Sequence, residues 1–235
     1  SEMCIRDRFC AVAVAGVFPA AAPADLVSLP LVDGQGRDSG WSAVFDTFYT
    51  DIVVDVVNPT AGFVVLELSK DFYRPPEHGV FPPIVIGFHQ RLDDSETVSR
   101  IIIAEESITN LTGVPWTDFH WRLLNESAAW FDVGASQGFG IQPYPQFQRA
   151  AWHVFDEGRA LVLDVWDGVV LPGSSYFPGT YVYPGPGDAD LVIVADLGSD
   201  EPARFVLLER PTPEPATLGL LGLGLAALTL RRGRR

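Results

Sequence analysis

Glu105 and Glu106 close a strand-like run of isoleucines, and Asp118 and His120 follow just beyond a turn. Carboxylates near an imidazole can bind a ligand or move protons when burial or a neighbouring charge shifts their titration. The plainer reading of the same block is a hairpin. Asn110 and Gly113 suit a turn with positive φ, while Trp116 and Trp121 flank a strand entering the core. A second pattern, Gly134-Ala135-Ser136-Gln137-Gly138, fits the G-x-S-x-G nucleophile elbow of serine hydrolases. That elbow needs a strand before it, a helix after it, and an acid and then a histidine downstream. Here Gly140 and Gln142-Pro143-Tyr144-Pro145 break any helix, and no acid separates Ser136 from His153, the only later histidine. His78, His89, His120 and His153 have no metal-ligand spacing. The sequence therefore names no catalytic residue, and we expect no enzyme.

Two softer features can touch ligands. Asp93-Asp94-Ser95-Glu96 and Asp188-Ala189-Asp190 offer the hard oxygens that Ca²⁺ takes, which makes Asp93, Asp94, Asp188 and Asp190 calcium candidates. Neither run has the spacing of a calcium loop, so solvated turns are the plainer reading, and no other cofactor is implied. Between Ser174 and Tyr183, the rings of Tyr176, Tyr181 and Tyr183 sit among Pro and Gly, where they can stack on sugars. Such rings also fold back over the open end of a β core.

These residues must be held by strands. Thr117–Leu123 alternates, with Phe119, Trp121 and Leu123 on one face and Asp118, His120 and Arg122 on the other. Val44–Val57, Phe63–Ser69, Ile84–Gln90, Arg100–Ala104, Ala150–Phe155, Ala160–Val165, Leu191–Asp196 and Arg204–Glu209 are further β-rich runs punctuated by Pro, Gly and Asn turns. With no clear helical stripe, the expected fold is all-β: an antiparallel β-sandwich over residues 25–209. The chain carries a net charge of −14. Its phosphate-repelling field argues against nucleic acid as a partner. Cys4 and Cys10 are its only cysteines. Both fall before residue 25, so the domain must be stable without disulfides or zinc-thiolate sites.

The two ends describe export. Phe9–Phe18 is a short apolar run preceded by Arg6 and Arg8 and closed by Ala22-Pro23-Ala24, which predicts a signal peptide over 1–24 cut after Ala24. The chain does not begin with Met, and no argument rests on Ser1–Arg8. At the other end, a Pro-rich linker (210–215) leads into an apolar, Gly-rich segment (216–230) and a basic tail (231–235). A helix over 216–230 spans ~22 Å at ~1.5 Å per residue, short of a ~30 Å hydrocarbon core. That suits a transient anchor. Arg231, Arg232, Arg234 and Arg235 act as the orientation signal, because arginine clusters stay on the cytoplasmic side.

Pro213-Glu214-Pro215, the Leu/Gly/Ala-rich segment and the arginine cluster together resemble the PEP-CTERM sorting signal of Gram-negative bacteria. The resemblance implies processing by the membrane transpeptidase exosortase, with the C-terminal helix in the inner membrane and a final place at the cell surface or outside. It further implies a setting rich in exopolysaccharide. From these we expect a non-enzymatic surface or matrix protein. A secreted carbohydrate-binding module is the alternative, and an exported hydrolase using Glu105 and a second acid comes third. A sorting signal is an address and says nothing of the chemistry of the domain it carries.

Overall fold

The computed structural model describes residues 25–124, 128–143, 145–179, 189–198 and 201–213. The expected signal peptide, the apolar segment 216–230 and the arginine tail lie outside the described residues. No helix among the described residues is long and apolar enough to cross a membrane.

Thirteen strands follow in order: β1 (Leu26–Val32), β2 (Asp38–Asp46), β3 (Thr50–Asn58), β4 (Phe63–Phe72), β5 (Ile84–Gln90), β6 (Arg100–Asn110) and β7 (Trp116–Leu124), then β8 (Ala129–Asp132), β9 (Arg149–Asp156), β10 (Arg159–Trp166), β11 (Ser175–Tyr176), β12 (Leu191–Ala195) and β13 (Arg204–Pro213). Among the described residues a single 3₁₀ turn, Asp94–Glu96, interrupts them. The all-β expectation holds, but the sandwich does not. All the strands join one sheet in the order β1-β2-β5-β13-β7-β10-β8-β12-β6-β4-β3, with β9 added to β10 and β11 to β6. The sheet curls until its end strands approach, giving a nearly closed, barrel-like wall around one core. Sandwiches and barrels use the same alternating strands and frequent turns; only the choice of partner across the sheet separates them.

The seam between β1 and β3 is bridged by a side chain. Asp33, just after β1, accepts hydrogen bonds from the backbone N–H of Gln35 (2.9 Å), Arg37 (3.0 Å) and Val57 (3.0 Å) and from Arg37 Nε (2.6 Å). One carboxylate thus shapes the β1–β2 turn and fastens it to β3.

Pairing is antiparallel except for β4 and β6, which run parallel from Phe63↔Arg100 to Phe72↔Asn110. This departs from the expected all-antiparallel sheet. It arises because β5 crosses to the far side of the barrel, between β2 and β13, before the chain returns as β6. The expected hairpin of the central block is also corrected. β6 lies between β12 and β4, and β7 between β13 and β10, so the two are not neighbours. Their connection is nonetheless a built turn. Buried Asn110 donates to the carbonyls of Val114 and Val170 and accepts from Thr112, and Gly113 takes a φ of 77°.

Alternation places the core as read from β7. Phe119, Trp121 and Leu123 are buried, while Asp118, His120 and Arg122 face outward. Inside, Phe72, Trp116, Phe119, Trp121, Phe139 and Tyr176 form a chain of edge-on and tilted rings with centroids 4.6–6.2 Å apart.

Candidate functional site

Three charged side chains lie in the middle of that aromatic core. Lys70 on β4 and Glu106 on β6 have no solvent-exposed side-chain surface, and Glu209 on β13 has 1%. Each occupies the apolar phase of its strand. Lys70 continues the inward series Val64, Leu66 and Leu68, and Glu209 continues Phe205 and Leu207. Glu106 reaches the interior by a different device. Strict alternation from Ile101 and Ile103 would turn Glu105 inward, but the β4–β6 register shifts between Leu66↔Ile103 and Glu67↔Glu105. This bulge inserts one residue into β6 and re-aims the strand, so Glu106 is buried and Glu105 faces solvent.

Lys70 Nζ donates to Glu106 Oε1 and, at 2.5 Å, to Glu209 Oε1. Trp121 Nε1 donates to the second oxygen of Glu106 at 3.2 Å, whereas Glu209 Oε2 has no hydrogen-bond partner among the described residues. Burial alone would lower the titration of Lys70, but the adjacent Glu106 and Glu209 more than reverse this and raise it. Burial pushes Glu209 well above the usual carboxylate range, and the charge of Glu106 adds to that push while Lys70 opposes it. Burial and the neighbouring carboxyl thus favour the protonated form of Glu209, while the two glutamates favour the ammonium form of Lys70. Burial, with Glu106 nearby, also pushes the Tyr176 phenol well up. The sequence signal that could have found Lys70 and Glu209 is a charged residue in the apolar phase of a strand; Glu106 carries no such signal, because the bulge alone turns it inward.

The residues singled out from the sequence are mostly dispersed. Glu105 and Glu106 point to opposite sides of the wall, and Asp118 and His120 lie on the outer face of β7, so the four do not converge. Ser136 is fully buried, and its Oγ accepts from Val192 N–H at 2.9 Å in a stretch of turns. Tyr176, a sugar-stacking candidate, is corrected to a core residue: it is fully buried and its hydroxyl donates to the Gly140 carbonyl. Tyr181 and Tyr183 lie outside the described residues, as does Asp188. Asp94 accepts from Gln90 Nε2 at 2.7 Å, and Asp93 stands at the N-cap position of the 3₁₀ turn that precedes β6, without a side-chain capping hydrogen bond. Asp190 precedes β12, which runs antiparallel to β6, so it stands at the other end of that strand pair. Among the described residues no three His, Cys, Asp or Glu side chains are placed to hold a metal ion.

An exposed aromatic cluster that the sequence reading missed sits at the β2–β3 corner. Phe48, Tyr49 and Tyr73 pack edge-on and tilted with centroids 4.9–6.4 Å apart. Arg74 lies 5.2 Å over the Tyr49 ring and donates to its hydroxyl at 2.7 Å. A cavity beside them is lined by Tyr49, Phe72, Tyr73, Arg74, Pro82 and Pro83.

The outer face of β13 bears on the C-terminal signal. His120 on β7 bonds through Nε2 to Thr212 Oγ1 and through Nδ1 to Asp164 Oδ1, both at 2.7 Å; His153 takes the other oxygen of Asp164 at 2.6 Å. Four strands are cross-tied up to the residue before Pro213. Strand β13 itself runs to Pro213, paired with Trp116, so Arg210–Pro213, expected as linker, is part of the wall. Pro211 and Pro213 are tolerated because β5 pairs with β13 only as far as Glu209, leaving that stretch one-sided. A family model described as the PEP-CTERM protein-sorting motif matches residues 211–235. Residues 211–235 thus carry a PEP-CTERM sorting motif. Pro213 of the sorting motif is thus the last residue of a barrel strand, and the match leaves the barrel before Pro211 unassigned. No curated protein and no solved structure matches the chain. The motif marks an exported PEP-CTERM protein sorted by exosortase.

Proposed function

We propose that the chain is a non-enzymatic protein of the cell surface or extracellular matrix, exported, handled by exosortase at its tail and retained among exopolysaccharide. The observation that supports this reading most is the continuity of β13 with the sorting motif. The match to the motif begins within a barrel strand, so whatever happens to the tail happens to a rigid body directly attached to it. The test is expression in hosts with and without exosortase. With the enzyme, mass spectrometry should find protein lacking Arg231–Arg235 at the surface or in the medium; without it, the intact tail should stay with the inner membrane. An intact C-terminus at the same location in both hosts would overturn the proposal.

Carbohydrate binding remains as a second reading, and the cluster of Phe48, Tyr49, Tyr73 and Arg74 favours it. Phe48 and Tyr73 are 44% and 41% exposed. A rigid ring edge with a guanidinium suits the apolar face and hydroxyls of a pyranose. Electrophoresis through gels containing the host's polysaccharide should retard the protein, and Phe48→Ala with Tyr73→Ala should abolish the retardation. Equal mobility with and without polysaccharide would remove this reading and leave the first intact.

A further inference from the structure

Lys70 is the only lysine in the chain. A chain that places no lysine at its surface has put its one ε-amine where no water reaches it. Removing an ammonium and two carboxyl groups from water costs several kcal/mol per ion, and hydrophobic residues of similar volume would fill the same space without that cost. Three features of the cluster are those of a reaction centre. The amine touches one oxygen of Glu209, which puts Nζ beside Cδ. The other oxygen of Glu209 has no hydrogen-bond partner among the described residues and is the one able to leave. Glu106 contacts the same amine and is oriented from behind by Trp121 Nε1.

We propose that Lys70 and Glu209 condense into an intramolecular isopeptide bond, with Glu106 carrying the protons. Glu106 takes a proton from the Lys70 ammonium, and the neutral Nζ adds to Cδ of Glu209. As the bond from Cδ to Oε2 breaks, Glu106 hands its proton to the departing hydroxyl and takes the second proton from nitrogen. The products are a secondary amide, one water and a protonated Glu106. Neither oxidant nor cofactor enters. Burial favours the acid form of Glu209 over the carboxylate, and from that form its hydroxyl departs as water. The fixed contact supplies the proximity that makes such a step fast. The reaction also discharges the core, turning an ammonium and a carboxylate into neutral groups.

The bond would span 139 residues of sequence and fasten β13 to β4 across the barrel interior. Its place is mechanically sensible, because β13 carries the sorting tail and any pull on that tail loads this strand first. The described residues contain no cysteine, so the link would stand where an exported domain otherwise uses a disulfide.

The test is mass spectrometry and amine labelling of the full chain. A tryptic digest should contain a branched peptide joining the segments around Lys70 and Glu209, lighter than their sum by one water. Labelling of the denatured chain should modify the α-amine but not Lys70. In Glu106→Gln the branched peptide should vanish and Lys70 should label. Lys70→Arg, which keeps the positive charge, should give the linear peptide containing Glu209. Quantitative labelling of Lys70 in the denatured wild-type chain, with both linear peptides at full mass, would overturn the proposal whatever the variants do.

Discussion

At the scale of single residues, Asp33 shows how one carboxylate can close a barrel that its ladder leaves open. Burial alone would raise its titration, but the backbone N–H of Val57, the backbone and side chain of Arg37 and the N–H of Gln35 outweigh this and hold it at about 2, below its ordinary 3.8. An acid depressed on folding contributes stability that is complete above the unfolded value and is lost as pH falls through the folded one. Thermal unfolding followed from pH 5 downwards should therefore show a loss of stability between about 4 and 2. Asp33→Asn should be less stable than wild type at neutral pH and should lack the Asp33 part of that acid loss. Parallel pH profiles for the two proteins would show that the seam is held by something else. Trp121 is the residue-scale test of the core: Trp121→Ala should cost about 3–5 kcal/mol, and should also leave Glu106 without its indole donor.

Among the elements, the segment between β5 and β6 is held against β2 both by backbone hydrogen bonds, Arg91 N–H to the Gly40 carbonyl at 2.7 Å and Val98 N–H to the Ser39 carbonyl at 2.9 Å, and by close approach. Gly40 in β2 has a φ of 82°, and a Cβ there would come 2.4 Å from Thr97 Oγ1 and 2.7 Å from Thr97 Cα. Thr97 is itself fixed, its hydroxyl donating to the carbonyls of Leu92 and Asp93 at 3.0 Å. Gly40→Ala should therefore cost roughly 2–4 kcal/mol, combining left-handed backbone strain with overpacking. Gly34→Ala, where a Cβ meets nothing within 4 Å, should be close to neutral. Chemical denaturation of the two variants reads the difference directly. Similar midpoints would mean that the Asp93–Thr97 stretch yields and contributes little to the wall.

On the scale of the whole molecule, charge dominates behaviour in solution. A net charge of −14 destabilises the compact state through self-repulsion, and added salt relieves it. The structure keeps Asp93 and Asp94 away from Asp190, so NaCl and CaCl₂ at equal ionic strength should raise the melting temperature by the same amount. An extra rise with millimolar CaCl₂, removed by Asp94→Asn, would instead reveal a specific calcium site.

The sequence by itself determined the address and the material. Pro213-Glu214-Pro215, the apolar segment and the four terminal arginines are contiguous, so their meaning needs no folding to assemble. Alternation in Thr117–Leu123 likewise fixed which side of β7 is buried, because side-chain direction in a strand depends only on local backbone geometry. Partner choice is not local, and that is where the reading failed. The curl of one sheet into a barrel, the parallel β4–β6 pair and the separation of β6 from β7 depend on contacts between strands far apart in the chain. Glu106 marks the boundary between the two kinds of knowledge: a one-residue bulge, invisible in composition or period, turns it inward and leaves Glu105 in water. Lys70 and Glu209 each stood legibly in the apolar phase of a strand. Only closure of the sheet placed them against each other, because side chains from opposite walls meet only when those walls enclose one core.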